Sequence, residues 1–235
     1  AKIDSRTWHA KKNPITGEYE YNPDRLAQHE SVMNHFRPHM DETPREYDSY
    51  LMAGLGGAGK TTILNRLGIR TEPNAQGGRT HFSLSADNNK DVMADQGMVP
   101  TMQWLAQQYP DVINKYGRNS RGELYDFTPM ELSSLIQNES KDLTNRQALE
   151  AYQKGTNVVW DYRMGTYESA LQHLANLKKY GYKGTGAVLV DVSPLTSRGR
   201  GVQRHLDGMT GYYNRHALSP VAVSYTHLRA HETRE

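Results

Sequence analysis

The apolar positions of this chain fall into short runs of two kinds. Tyr50-Leu51-Met52-Ala53, His81-Phe82-Ser83-Leu84-Ser85-Ala86, Val158-Val159-Trp160 and Ala187-Val188-Leu189-Val190 are continuous or alternating, as strands are. The last is as apolar as a strand covered on both faces requires. Between them lie stretches of helical period. These are 62–67, a piece reaching Met93, Leu132, Leu135, Ile136, Leu143 and Ala148 out to about Gln153, and Leu171, Leu174 and Leu177 on one side of 167–180. Gly181 is placed to cap the last of these. Strand, loop, helix, strand, helix, strand, helix, strand predicts an α/β fold: a doubly wound, mostly parallel sheet flanked by helices.

The remaining segments are weaker. Residues 1–23 are polar, with a turn at Asn13-Pro14-Ile15-Thr16-Gly17, and predict a loosely ordered arm or a short hairpin. Asn22 and Pro23 are an N-cap and a first helical residue, opening a helix to about Phe36 that Arg37-Pro38 should end. Residues 101–127 hold two turn signals, around Pro110 and Gly117, and predict an insertion over the sheet edge. Thr128-Pro129-Met130-Glu131 has the N-cap, N1 proline and N3 glutamate of a helix start, with a break expected near Asn138.

At 235 residues, one α/β domain with a small extension is expected. The 28 basic and 26 acidic residues leave a net charge of +2, so no global field toward nucleic acid or membrane is implied. With no cysteine there are no disulfides, thiolate metal sites or thiol nucleophile, which fits a reducing compartment. No apolar run nears 18 residues and no signal pattern opens the chain, so it reads as soluble and cytoplasmic. The start at Ala1 suggests a fragment or a trimmed terminus. Residues 224–235, Ser-Tyr-Thr-His-Leu-Arg-Ala-His-Glu-Thr-Arg-Glu, resemble a peptide that arises when sequencing-adapter DNA is translated. On that reading the natural sequence ends near Val223.

The first strand leads into the one stretch with a specific chemistry. Gly54-Leu55-Gly56-Gly57-Ala58-Gly59-Lys60-Thr61 fits the phosphate-loop pattern at every fixed position, between a strand and a helix. Gly54, Gly56, Gly57 and Gly59 let the backbone curl so that successive N–H groups, with that of Ala58, can face a phosphate. Lys60 brings a cation to the β/γ-phosphates, Thr61 a hydroxyl for Mg²⁺, and Thr62 begins a helix whose dipole favours the same anion. Each later strand ends near a carboxylate: Asp87, Asp161 and Asp191. Ligands sit at the carboxyl ends of strands in open α/β sheets, so these should converge on the loop.

Such a set suits phosphoryl transfer, which is mostly positioning and charge neutralisation. Asp87 is the candidate base. Asp161 is either a Mg²⁺ ligand or a substrate contact, and Asp191 could equally cap the Ser193-Pro194 turn. Arg198, Arg200, Arg204, His205 and Arg215 then crowd a glycine-rich stretch, read as a lid, or else as a solvated basic helix or a weak nucleic-acid patch. No N-K-x-D follows a strand, and no L-S-G-G-Q or H-E-x-x-H occurs, against a GTPase, an ABC ATPase or a zincin. The ten histidines are scattered and expected on the surface.

Taken in order, several segments resemble the zeta toxin family of P-loop kinases. They are the phosphate loop, Ser85-Ala86-Asp87-Asn88-Asn89-Lys90, Thr128-Pro129-Met130-Glu131, and Gly155-Thr156-Asn157-Val158-Val159-Trp160-Asp161. The Lys179-Tyr180-Gly181-Tyr182 turn, the strand into Asp191-Val192-Ser193 and the basic stretch 197–205 continue the set. The likeness covers roughly residues 24–220, as one kinase domain over 24–223 with a lid at about 196–216.

The resemblance implies ATP and Mg²⁺ as cofactors. It implies phosphorylation of a hydroxyl on a UDP-linked N-acetylhexosamine such as UDP-N-acetylglucosamine, and a small helical antitoxin as partner. It makes Lys60 and Thr61 the nucleotide and metal contacts, Asp87 the base, Asp161 and Arg163 substrate contacts, and Arg204 and Arg215 the phosphate-facing arginines. After Asp161 the family has a Gly/Thr-rich loop ending in Arg, where this chain reads Tyr162-Arg163-Met164-Gly165-Thr166, which touches acceptor specificity more than chemistry. The family's next strand follows the lid, where the adapter-like tail stands. Two rivals remain: a nucleotide-dependent switch or remodelling ATPase acting on protein or nucleic acid, and a binding-only module of a longer protein.

Overall fold

The computed structural model describes residues 3–54, 58–161, 167–193, 195–196, 198–200, 202–203, 206–207 and 210, and of Met130 the backbone only. The chain divides into two compact units, residues 1–54 with 60–190 and residues 55–59 with 191–235.

The first unit holds a four-stranded sheet. Its strands are β3 (Asp48–Gly54), β4 (Phe82–Leu84), β5 (Val158–Asp161) and β6 (Gly184–Val190), in spatial order β4-β5-β3-β6 and all parallel. Parallel strands need crossovers, which helices supply. They are α3 (Lys60–Arg66), α4 (Ala86–Asp95), α8 (Gln137–Lys154) and α9 (Tyr167–Lys179). The period of two then sorts the apolar side chains onto both faces. Leu51, Val158 and Trp160 enter the main core with Leu143, Ala151 and Leu177. Met52 and Val159 enter a smaller cluster with Leu64 and Ile69. A P-loop NTPase-type, doubly wound sheet is the result.

Several expectations change. β6 is an edge strand among the described residues; Val188 and Val190 pack inward, whereas Leu189 is 75% exposed. Its apolar sequence therefore does not mean burial on both faces. In α9 only Leu177 is buried, with Leu171 and Leu174 on an exposed face.

α2 (Pro23–Asp41) runs on through Pro38. The missing N–H costs one backbone bond, but Phe36 and Met40 on either side are buried, and Thr43 Oγ1 donates to the His39 carbonyl at 2.7 Å to close the end. Residues 101–127 are not an edge insertion but two short helices, α5 (Met102–Gln108) and α6 (Pro110–Tyr116). Thr101 caps the first, and Pro110 opens the second instead of a turn. Met102, Leu105 and Ile113 pack with Trp8, Trp104, Phe127 and Leu135, a satellite core that contains no sheet residue. The break in the long helix falls earlier than expected, at a 3₁₀ turn, Ser133–Ile136, between α7 (Pro129–Leu132) and α8.

The N-terminal segment takes the ordered alternative. α1 (Arg6–His9) leads into an antiparallel hairpin of β1 (Ala10–Lys12) and β2 (Tyr19–Tyr21). It is tied to the start of α8: Ser5 Oγ donates to Glu139 Oε2 at 2.6 Å, Tyr21 Oη to Asp142 Oδ2 at 2.6 Å, and Asn138 Nδ2 to Asp4 Oδ2 at 2.6 Å. Glu139, with no exposed surface, also takes the Arg25 guanidinium on both oxygens and sits 2.6 Å from His29 Nε2. Burial alone would raise its carboxyl. The bonds from His29, Arg25 and Ser5 outweigh that and hold it at about 2.

Candidate active site

The carboxyl end of β3 opens the site. Gly54 has φ +150°, and a Cβ there would lie 2.8 Å from the Val190 carbonyl oxygen, so the position admits only glycine. The chain re-enters the first unit at Lys60, the first residue of α3. Lys60 Nζ donates to the Gly54 carbonyl at 3.3 Å and forms an ion pair with Asp161 Oδ1, also at 3.3 Å. Asp161 is the last residue of β5, whose pairing with β3 puts it opposite Met52. Thr61 and Thr62 follow in the first turn of α3, both exposed.

Asp87 does not end a strand. It is the second residue of α4, after the N-cap Ser85, whose hydroxyl accepts from the Asn88 N–H. A carboxylate in a first turn suits the helix dipole. Its side chain is 82% exposed and is held by Lys90 Nζ at 2.6 Å, one turn on. Lys90 also donates to Gln137 Oε1 at 2.9 Å.

Asp87, Lys90 and Asp161 line one cavity of about 520 Å³, together with Gln137, Lys141, Thr144 and Asn145 from α8 and with Trp160 and His173. Trp160 lies against His173 with ring centroids 4.1 Å apart, and its Nε1 donates to Tyr152 Oη at 2.6 Å. Burial pushes the His173 imidazole down, so the ring is neutral near pH 7. The expectation that histidines lie on the surface is overturned here and in the core, where His29 and His81 are buried.

The polar wall supplied by α8 was not read from the sequence. Its signal was available: 137, 141, 144 and 145 share a helix face, but a polar face normally means solvent. Asp191 is exposed and belongs to the second unit. Within that unit Ala58 is buried, Gly59 has φ +90°, and Arg200 Nη1 donates to the Ala58 carbonyl at 3.4 Å, which ties the basic stretch to the phosphate loop. Gly56, Gly57, Arg163, Arg204 and Arg215 lie outside the described residues, as does most of the expected lid.

A parallel sheet whose strand β3 is followed in sequence by a glycine-rich stretch and then by Lys-Thr at a helix start defines the P-loop NTPase class of fold. Among solved structures, the chain is similar to one described as AvrRxo1-ORF1:AvrRxo1-ORF2 with sulphate ions, with TM-score 0.55 and 14% identity over 84% of this chain. It is also similar to one from the PezAT chromosomal toxin-antitoxin system of the human pathogen Streptococcus pneumoniae, with TM-score 0.51 and 16% identity over 81% of this chain. These likenesses show a fold of the zeta toxin type. The chain spans 58% of the first protein and 66% of the second. No protein-family profile and no curated sequence matches it.

Proposed function

We propose that the chain is a kinase dependent on ATP and Mg²⁺ that phosphorylates a hydroxyl of a small molecule, with a nucleotide sugar such as UDP-N-acetylglucosamine as the acceptor class. The observation that carries this reading is the double engagement of Asp161. The same carboxylate that holds the Lys60 ammonium lines the cavity rimmed by Asp87. The proposed donor-side cation is thus paired with a carboxylate that lines the same cavity as the proposed acceptor-side base.

The donor set fits the cofactors. Mg²⁺ takes few protein oxygens and keeps waters and substrate phosphates. The Thr61 hydroxyl at the head of α3 would hold it, and among the described residues no cluster of three His, Asp or Glu competes for that role. Bound there, the ion would neutralise charge on the phosphates. Lys60 would contribute the second positive charge, moving from Asp161 to the β/γ-phosphates. Gly54, Gly56, Gly57, Ala58, Gly59 and Thr62 complete the proposed nucleotide contacts.

Asp87 would accept the proton of the acceptor hydroxyl as the oxygen attacks phosphorus, with Lys90 keeping the carboxylate oriented. Asp161 and Arg163 are assigned to the acceptor, and Arg204 and Arg215 to the transferring charge. A cytoplasmic protein held by a small helical antitoxin completes the reading. The antitoxin partner is supported by the likeness to a structure from a toxin-antitoxin system.

The test is incubation with Mg-ATP and a panel of nucleotide sugars, followed by mass analysis for an added phosphoryl group. Asp87→Ala should lower transfer by about 10²–10⁴-fold, the range for a general base, while leaving ATP affinity nearly unchanged. Full activity in that variant would sink the assignment. ATP hydrolysis stimulated by nucleic acid, with no phosphorylated metabolite, would favour the remodelling ATPase instead.

A further inference from the structure

We infer that Asn89, paired with Gln147, is the positioning residue of the acceptor cavity: the pair fixes the roll of α4 on α8, and with it the direction of Asp87 and Lys90. For its catalytic consequence this rests on the kinase reading above; for its mechanical part it rests on geometry alone.

Asn89 is fully buried between the two helices, and its amide is completely engaged. The two hydrogens of Nδ2 go to Thr144 Oγ1 at 2.9 Å and Gln147 Oε1 at 3.0 Å, with the Ser140 carbonyl at 3.4 Å as a weaker, shared acceptor. Gln147 Nε2 returns a bond to Asn89 Oδ1 at 2.8 Å. Gln147 is buried as well, and Thr144 Oγ1 spends its own hydrogen on the Ser140 carbonyl at 2.8 Å. Leucines at 89 and 147 would hold two helices together without choosing a register. A reciprocal amide pair chooses one, because any slide or roll leaves several buried polar groups unpaired at once.

The clamp sits directly behind the cavity wall. At about 100° per residue, Asp87 is turned about 200° from Asn89, so anchoring Asn89 inward swings Asp87 out to the rim. Lys90, about 100° away, lies along the wall, only 14% exposed, bridging Asp87 and Gln137. Thr144 belongs to both structures: it lines the cavity and accepts the Asn89 bond. Rotation of α4 would therefore shift Asp87 and Lys90 relative to Lys141 and Asn145, which α8 contributes to the same cavity.

The test compares three forms of the full chain: wild type, the apolar double variant Asn89→Leu/Gln147→Leu, and the exchanged pair Asn89→Gln/Gln147→Asn, which keeps an amide on each side. Each is followed by acceptor phosphorylation, KM for ATP and amide hydrogen exchange. The leucine pair should fold, lose about 10–100-fold in kcat as misplaced groups do, and keep KM for ATP within about twofold. The exchanged pair should recover most of that loss. Its amides in 86–95 and 137–147 should be protected as in wild type, and those of the leucine pair should exchange faster there than in β3 and β5.

A leucine pair with wild-type kcat would overturn the inference. If the wild-type chain phosphorylates no acceptor, the kinase reading fails by itself and exchange alone decides the clamp. Unchanged protection in the leucine pair would then refute it, and loss confined to the two helices would uphold it.

Discussion

Lys60 has two oxygens within reach, the Gly54 carbonyl and the Asp161 carboxylate, each 3.3 Å from Nζ. On the kinase reading proposed above, both are partners it would exchange for phosphate oxygens. Lys60→Ala removes the charge and should weaken nucleotide binding and turnover together, whereas Asp87→Ala should spare binding. Titration with a fluorescent ATP analogue beside a turnover assay separates the two patterns. Asp87 and Lys60 could be proposed from the sequence because of their neighbours along the chain, a strand end before Asp87 and a glycine-rich stretch before Lys60. Lys141 and Asn145 were not, because nothing local distinguishes a lysine facing a cavity from one facing water. Trp160 misled in the same way. Its burial in an apolar strand was expected, yet its ring also stacks on His173, thirteen positions away, at the cavity wall.

α8 is the element on which the first unit is assembled. One side binds the N-terminal segment through Asn138, Glu139 and Asp142, another clamps α4 through Ser140, Thr144 and Gln147, and a third lines the cavity. Glu139→Ala should therefore cost about 3–5 kcal/mol, the range for breaking a buried pair, because Arg25 is left charged in the interior. Urea unfolding measures it, and a loss under about 1 kcal/mol would contradict the buried geometry.

The far end of α8 offers a second check. Gly155 caps the helix at φ +69°, and a Cβ there would fall 2.6 Å from the Tyr47 ring. Gly155→Ala should lose more than the roughly 1–2 kcal/mol of a left-handed non-glycine residue, with the excess relieved by also making Tyr47→Ala. The helix itself was predicted from its leucine period. Its 3₁₀ entry was not, since short 3₁₀ turns answer to packing and not to period.

For the whole first unit, burial sets the dependence on pH. Glu139 titrates at about 2 in the folded protein against 4.5 in an exposed chain, so it contributes stability above pH 4.5 that is lost as pH falls toward 2. His81 and His173 are pushed below their ordinary 6.5 by burial, Asp48 partly restoring the former. The unfolded chain then binds more protons below pH 6.5, so acid costs stability there as well. Asp142, raised by burial, works in the opposite direction. Thermal melts between pH 8 and 3 should fall in two stages, beginning below 6.5 and steepening below 4.5. Glu139→Gln should flatten the second stage only.

No helix among the described residues is long and apolar enough to cross a membrane, in keeping with the absence of a long apolar run. The sequence by itself determined the four strands, the crossover helices α3, α4, α8 and α9, and the glycine-rich stretch with the lysine that follows it. Each of these is a local matter: period, capping, and the one residue type that tolerates φ +150° at position 54. Only the tertiary structure decided that Asp161 pairs with Lys60, and that Asp87, Gln137, Lys141 and Asn145 line one cavity. Those outcomes depend on which strands become neighbours and how one helix is rolled on another. Side chains a hundred residues apart settle that through burial, and Glu139 and Asn89, polar residues inside the core, are where the settlement is held.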